Sequence, residues 1–393
     1  MKVGQWLSRV ASALTVCLMA VTATAQNRPP AGNAPPNLPP MPMFTPTPND
    51  TLISPEVAPD GRVTFRLYAP RAAEVTVTGE VAPGFGQPLK LTKDERGVWT
   101  GTSAALTPGA YRYTFVVDGV SVVDPKNRET SASQSSVSSL VEVSSTGGDF
   151  QADRPGIPHG AVSVVYYPSP ALGQRRMRIY TPPGYRKGHA YPVLYLIHGG
   201  GDSDESWSTV GRAGFILDNL IADGRAKPMI VVMPFGGVGA RSAPMTSDPD
   251  QDPFTQDLLQ GIIPYVEKNY DVSARPENRA LAGLSMGGIQ TLNIGLTHLD
   301  RFRYLGVFSS GWFPSDLQAF ETKYGNTLGS TNTPPKLFWM AYGETDIARP
   351  QAEKVLQMFD RHGFKYVSER TEGGHTWINW RRYLNEFAPL LFR

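Results

Sequence analysis

Gly283-Leu284-Ser285-Met286-Gly287 is the stretch on which the reading of this chain turns. It follows the apolar run Ala280-Leu281-Ala282, which reads as a short buried strand. It precedes Gly288 and the run Ile289 to Ile294, which read as the opening of a helix. A strand–Gly-x-Ser-x-Gly–helix passage makes a tight turn that strains the serine backbone and projects its hydroxyl. The flanking positions are glycines because side chains there would collide with the neighbouring strand and helix. Ser285 is therefore the candidate nucleophile. The competing reading is a glycine-rich turn with an incidental serine, and the rest of the chain decides between the two.

A serine hydroxyl is a poor nucleophile unless a base takes its proton, and that base needs a carboxylate to hold its tautomer. On a strand-and-helix framework of this kind the chain order is serine, acid, histidine. His298, His362 and His375 follow Ser285. The first two sit at the ends of predicted helices and read as helix-terminal residues. His375 lies in Glu372-Gly373-Gly374-His375-Thr376-Trp377, after the strand-like 365–370 and before the final helix. A glycine pair there can lay the imidazole over the carboxyl ends of the strands, where open α/β sheets place their sites. Asp346 is the leading acid, in Tyr342-Gly343-Glu344-Thr345-Asp346 after the strand Leu337 to Ala341. Glu344 competes, and local sequence alone does not separate them.

An oxyanion forming on the substrate needs backbone donors. The amide after the nucleophile belongs to Met286. A second is expected from Gly200 or Gly201 in His198-Gly199-Gly200-Gly201, which follows the strand Val193 to Ile197. His198 precedes the nucleophile and reads as structural. Trp207 and Trp312 are candidates to border an acyl pocket, with buried packing as the alternative. Asp248-Pro249-Asp250-Gln251-Asp252 has the look of a calcium loop, but Pro253 and Leu259 stand where such a loop needs glycine and its closing glutamate. No metal and no cofactor is expected.

With 393 residues the chain has room for two domains and a large core. Its start reads as an export signal: Lys2 and Arg9, the apolar stretch Ala11 to Val21, and the small-residue cleavage site Ala23-Thr24-Ala25. Cleavage after Ala25 would lower the basic residues from 37 to 35, against 35 acidic ones. A formally neutral mature chain argues against nucleic acid or an anionic membrane as partner, and the protein is expected to be periplasmic or secreted. Cleavage would also remove Cys17, the only cysteine, which excludes a cysteine nucleophile and a cysteine-ligated metal.

Residues 26–50 contain nine prolines and read as an extended tether. From 51 to 145 short segments alternate with a period of two, as in Val63 to Tyr68, Glu74 to Thr78 and Tyr111 to Val117, and predict an immunoglobulin-like β-sandwich. Residues 146–156 read as a linker. In 157–393 apolar strands at Pro192 to Ile197, Met229 to Met233, Tyr304 to Phe308 and Lys336 to Ala341 alternate with helical patterns at Pro253 to Tyr270 and Gln351 to His362. That alternation predicts an α/β fold, a mostly parallel, doubly wound sheet of the α/β-hydrolase type.

The catalytic half resembles carbohydrate esterase family 1, the feruloyl and acetyl-xylan esterases, and the related enterochelin esterases. The likeness is carried by Tyr195 to Asp202 with Trp207 downstream, Ile262 to Tyr270, Gly283 to Gly288, and Gly373 to Trp377 followed by Trp380-Arg381. It implies Ser285 as nucleophile, His375 as base and Asp346 as acid. The front half is similar to a family 48 carbohydrate-binding module, through Phe65 to Pro70, Gly97-Val98-Trp99 and Tyr111 to Pro125. Trp99 and the tyrosines there are either sugar-stacking or core residues. The resemblance implies release of acyl groups, feruloyl foremost, from plant cell-wall polysaccharide. Acetyl-xylan and a siderophore lactone are the alternative substrates. A non-catalytic glycan-binding protein is the alternative of a different class, against which the intact serine–acid–histidine order argues.

Overall fold

Two kinds of apolar pattern, alternating in the front of the chain and continuous behind it, fold into two kinds of sheet. The computed structural model describes residues 46–82, 87–145, 148–238, 252–328 and 334–393. The expected export signal with Cys17, most of the proline-rich tether, and Asp248 to Gln251 lie outside the described residues.

The front strands are β1 (Glu56–Val57), β2 (Val63–Tyr68), β3 (Val75–Gly79), β4 (Leu89–Lys90), β5 (Thr92–Lys93), β6 (Val98–Thr102), β7 (Gly109–Val117), β8 (Val120–Val122), β9 (Thr130–Ala132) and β10 (Val137–Val143). They form one sheet in the order β1-β2-β6-β5 and a second in the order β4-β3-β7-β10-β9, with β8 paired to β7. Along β2 the side chains of Val63, Phe65 and Leu67 are buried and those of Thr64, Arg66 and Tyr68 only half so, as a strand with one face on a core requires. Trp99, Tyr111 and Tyr113 belong to that core. The Trp99 indole N–H donates to the Ala69 carbonyl at 2.9 Å and the Tyr113 hydroxyl to Asp124 at 2.7 Å. Trp99, Tyr111 and Tyr113 are thus packing residues of the sandwich core.

The second body is built on β11 (Ala161–Ser169), β12 (Gly173–Thr181), β13 (Val193–Ile197), β14 (Ile230–Pro234), β15 (Arg279–Leu284), β16 (Tyr304–Phe308), β17 (Leu337–Gly343) and β18 (Val367–Thr371). Their order is β11-β12-β14-β13-β15-β16-β17-β18, antiparallel as far as β14 and parallel from β14 to β18. The helices are α1 (Ala213–Ala222), α2 (Pro253–Gln256), α3 (Ile263–Asn269), α4 (Met286–Thr297), α5 (Pro314–Leu328), α6 (Arg349–Arg361) and α7 (Trp377–Phe387). Along β13, Val193, Tyr195 and Ile197 enter one core with residues of α3, α4, α5 and α6, while Leu194 and Leu196 enter the other with α1 and α7. Burial on both faces explains why these strands read as unbroken apolar runs. The expected helix 253–270 runs from α2 to α3 through a π-helical stretch, Asp257–Ile262, in which buried Asp257 accepts from the Tyr167 hydroxyl at 2.8 Å. The edge hairpin β11–β12 is absent from the sequence reading, because most of β11 is exposed and carries no core pattern.

Sandwich and α/β sheet lie in one compact unit, Thr47–Arg393. Ala110 of β7 and Leu140 of β10 join the α1–α7 core. Arg381 of α7 is fully buried and donates to the carbonyls of Ala110 and Val210 and to the Gln151 side chain. Phe150 to Ala152, within the segment read as a linker, are laid on α1, where the Asn219 amide donates to the Phe150 and Ala152 carbonyls at 3.0 Å each. Among the described residues no helix is long and apolar enough to cross a membrane.

Candidate active site

Ser285 stands between β15 and α4 with φ 51° and ψ −115°, a left-handed region that a serine rarely adopts. Such a residue costs about 1–3 kcal/mol and persists only where its surroundings over-determine it. Those surroundings are tight. A Cβ on Gly283 would lie 2.3 Å from the Gly287 carbonyl, and one on Gly287 would lie 2.6 Å from the His198 oxygen and 2.7 Å from that of Ile197. The Ser285 N–H donates to the Phe308 carbonyl at 2.9 Å, and the Ser310 hydroxyl donates to the Ser285 carbonyl at 2.6 Å. Nothing local marks Ser310 in the sequence, because its partner is reached across the β15–β16 pairing.

Nε2 of His375 lies 3.0 Å from the Ser285 hydroxyl oxygen, and Nδ1 lies 2.8 Å from Oδ1 of Asp346. Asp346 follows β17, and its side chain is fully buried beneath the ring. The loop before His375 is tied to this strand end: the Thr345 N–H and hydroxyl both donate to the Gly373 carbonyl at 2.9 Å. The His375 ring meets Trp380 edge-on at 5.0 Å. Burial pushes the Asp346 carboxyl up, but His375, the nearby Ser309 hydroxyl and the Ala348 N–H together outweigh it and hold it below the usual carboxylate range. Glu344 is exposed and turned to Arg370 at 3.6 Å. His298 caps α4 and His362 pairs with Glu321 at 2.9 Å, so of the three later histidines only His375 reaches the serine.

The glycine loop runs alongside this turn. A Cβ on Gly199 would lie 3.3 Å from that of Ser285, and one on Gly200 would lie 3.9 Å from that of Met286. His198 braces the loop. Its Nε2 accepts from the Gly236 N–H at 2.9 Å, so Nδ1 carries the proton and donates to the Gly199 carbonyl at 2.7 Å. Burial lowers its pKa and keeps it neutral.

Two cavities meet at His375. One, of about 150 Å³, adjoins Ser285 and is lined by Ile289, Ser310, Phe313 and Ile347 among others. The other, of about 670 Å³, has Tyr111 and Arg112 of the sandwich on one side and Trp377 and Trp380 on the other. Neither cavity is bordered by Trp207 or Trp312, which corrects the expectation that they flank an acyl pocket. Both are buried packing residues. The Trp207 N–H donates to the Ile197 carbonyl at 3.1 Å, and Trp312 donates to Asn293 at 2.6 Å and stacks on Phe320 at 4.3 Å. Phe313 and Ile347 are the exposed apolar side chains on the smaller cavity, 55% and 76% exposed. Their signal in the sequence was faint but present: each is an apolar residue in a loop just beyond the carboxyl end of a central strand.

Residues 169–391 match the family described as putative esterase, and residues 53–131 match carbohydrate-binding module 48, the isoamylase N-terminal domain. The sequence is 34% identical over 349 residues to an endo-1,4-beta-xylanase/feruloyl esterase of Xylanibacter ruminicola, covering 86% of this chain and 46% of that one. The chain thus spans less than half the length of that relative. A ferulic acid esterase of Anaeromyces mucronatus matches with TM-score 0.54 and 24% identity over 64% of this chain and 98% of its own. An enterobactin esterase of Shigella flexneri matches with TM-score 0.60 and 19% identity over 84% and 92%. At those identities the two structures speak for the fold. The putative esterase match spans more than half of the sequence, and the chain belongs to that family.

Proposed function

We propose that the protein is an exported serine esterase that releases feruloyl groups from plant cell-wall polysaccharide. The observation that carries this reading is the unbroken hydrogen-bond chain from Asp346 through His375 to Ser285. Ser285 Oγ forms a bond to the ester carbonyl carbon while its proton passes to His375 Nε2. The N–H groups of Met286 and of Gly200 or Gly201 hold the resulting oxyanion. Collapse breaks the bond to the alcohol, which leaves with the proton from His375, and water then cleaves the acyl-enzyme by the same route. Asp346 orients His375 and balances the charge it gains.

The apolar faces of Ile289, Phe313 and Ile347 beside Ser285 suit an aromatic acyl group, and the similarity to a xylanase/feruloyl esterase favours a feruloyl ester of xylan. The amino-terminal Lys2, Arg9 and apolar stretch support export. The reading divides the chain into a signal at 1–25, a tether at 26–50, the sandwich at 51–145, a linker at 146–156 and the esterase body at 157–393. Hydrolysis of methyl ferulate beside an acetylated xylan tests the substrate: kcat/KM is expected to favour the ferulate, and a preference for the acetyl ester would overturn the feruloyl assignment.

A further inference from the structure

The glycine loop has an anchor on each side, and the two anchors come from different bodies. Upstream, His198 ties it to the α/β sheet. Downstream, Asp204 and Glu205 pair with Arg176 and Arg178 of β12, while Gly201, Asp202, Ser203, Ser206 and Thr209 take partners from the sandwich. The Gly201 carbonyl accepts from the Gln134 N–H at 2.9 Å. Arg112 of β7 meets Asp202 at 2.5 Å and, through its second terminal nitrogen, donates to the Ser206 hydroxyl at 2.8 Å. The Ser203 hydroxyl donates to the Ala132 carbonyl at 2.7 Å, and the hydroxyls of Ser131 and Thr209 meet at 2.7 Å. The Arg112 and Asp202 side chains are only 13% and 11% exposed, so water screens this pair little.

Gly199, Gly200 and Gly201 have no side chains of their own to fix them, and Gly201 holds a φ of 79°. An oxyanion donor acts by being in place before charge develops, and a misplacement of about 1 Å costs on the order of a hundredfold. We infer that the front sandwich sets the position of the oxyanion loop, and that Arg112 is the positioning residue through which it does so. Arg112 acts through Asp202 and the backbone that follows Gly201, not on the substrate. The inference rests on the proposed role of the Gly200 or Gly201 amide.

Arg112→Met and Asp202→Asn test it on methyl ferulate, whose small alcohol leaves the sandwich wall of the larger cavity untouched. In each variant kcat is expected to fall at least about tenfold with KM within about twofold of wild type. The inhibition constant of a trifluoromethyl ketone, which forms a tetrahedral adduct with a serine, is expected to rise by the same factor. Arg112→Lys, which keeps the charge but not the fork, is expected to fall between. Unchanged kcat and ketone inhibition in a folded variant would overturn the inference, and so would a rise in KM alone, which marks a substrate contact. Should Arg112→Met not fold, Asp202→Asn carries the same test from the other side of the pair. Ser285→Ala, measured in parallel, separates the two claims: its loss of activity with unaffected Arg112 and Asp202 variants sinks this inference alone, whereas retained activity sinks the esterase reading beneath it.

Discussion

Oδ1 of Asp346 sits 2.8 Å from Nδ1 of His375, at the carboxyl end of β17, while Glu344 two residues earlier points away to Arg370. The strand's geometry makes the selection that local sequence left open. Glu344 pairs its backbone N–H with the Thr371 carbonyl and leaves its side chain exposed, whereas Asp346 turns inward to the Ala348 N–H and the histidine ring. Asp346→Asn is expected to lower kcat for methyl ferulate by about 10³–10⁴-fold, because the amide favours the wrong histidine tautomer. Glu344→Gln is expected to leave kcat within about twofold. Steady-state kinetics of the two purified variants distinguishes them.

The same carboxylate makes acid stability pH-dependent in a definite direction. Its folded-state pKa lies below the ordinary 3.8, so the unfolded chain binds this proton more readily than the folded one. Its contribution is therefore complete above about 3.8 and is lost as pH falls through the folded value. Chemical denaturation of wild type and Asp346→Asn across pH 3 to 7 is expected to show a gap that is constant at the upper end and closes below about pH 4. A gap that widens on acidification would contradict the assigned direction.

Gly287→Ala places a methyl group 2.6 Å and 2.7 Å from two backbone oxygens, neither of which can swing aside as a flexible side chain would. The expected cost is about 1–3 kcal/mol of stability, with loss of esterase activity as the nucleophile turn shifts against β13. Gly214→Ala in α1 is the control, since its nearest side-chain atoms lie 3.9 Å and 4.0 Å away. Thermal melts of the pair are expected to show a lowered Tm for the first and an unchanged or raised Tm for the second.

Neighbouring aromatics are expected to part company on mutation. Phe313 is 55% exposed beside Ser285, so Phe313→Ala is expected to raise KM for methyl ferulate by about tenfold while leaving Tm and acetyl-ester hydrolysis near wild type. Trp312 is fully buried against Phe320, so Trp312→Ala is expected to cost about 3–5 kcal/mol in urea denaturation. Equal effects of the two on stability would contradict their assigned places.

The legible part of the sequence was whatever chemistry confines to a short window. The turn around Ser285 needs glycines at 283 and 287, and the central strands need apolar side chains on both faces; both requirements are met by adjacent residues. Val63 to Tyr68 shows its alternation within six residues and is β2 to the residue. What stayed hidden depends on distant pairs. Arg112 finds Asp202 across 90 residues, and Ser310 finds the Ser285 carbonyl across 25. Indole rings also look alike in sequence whether they line a cavity or fill a core. Trp207 and Trp312 proved to be packing, while Trp377 and Trp380 border the larger cavity.

The most direct measurement of the central claim is covalent labelling of the purified protein by a fluorophosphonate, paired with methyl ferulate hydrolysis, in wild type and Ser285→Ala. Wild type is expected to take up one phosphonyl group, located on Ser285 by mass spectrometry, and to lose activity in step with labelling. Ser285→Ala is expected to show neither labelling nor hydrolysis while melting as the wild type does. Wild-type rates of ester hydrolysis in a folded Ser285→Ala variant, or a label on another residue that tracks the loss of activity, would contradict the account.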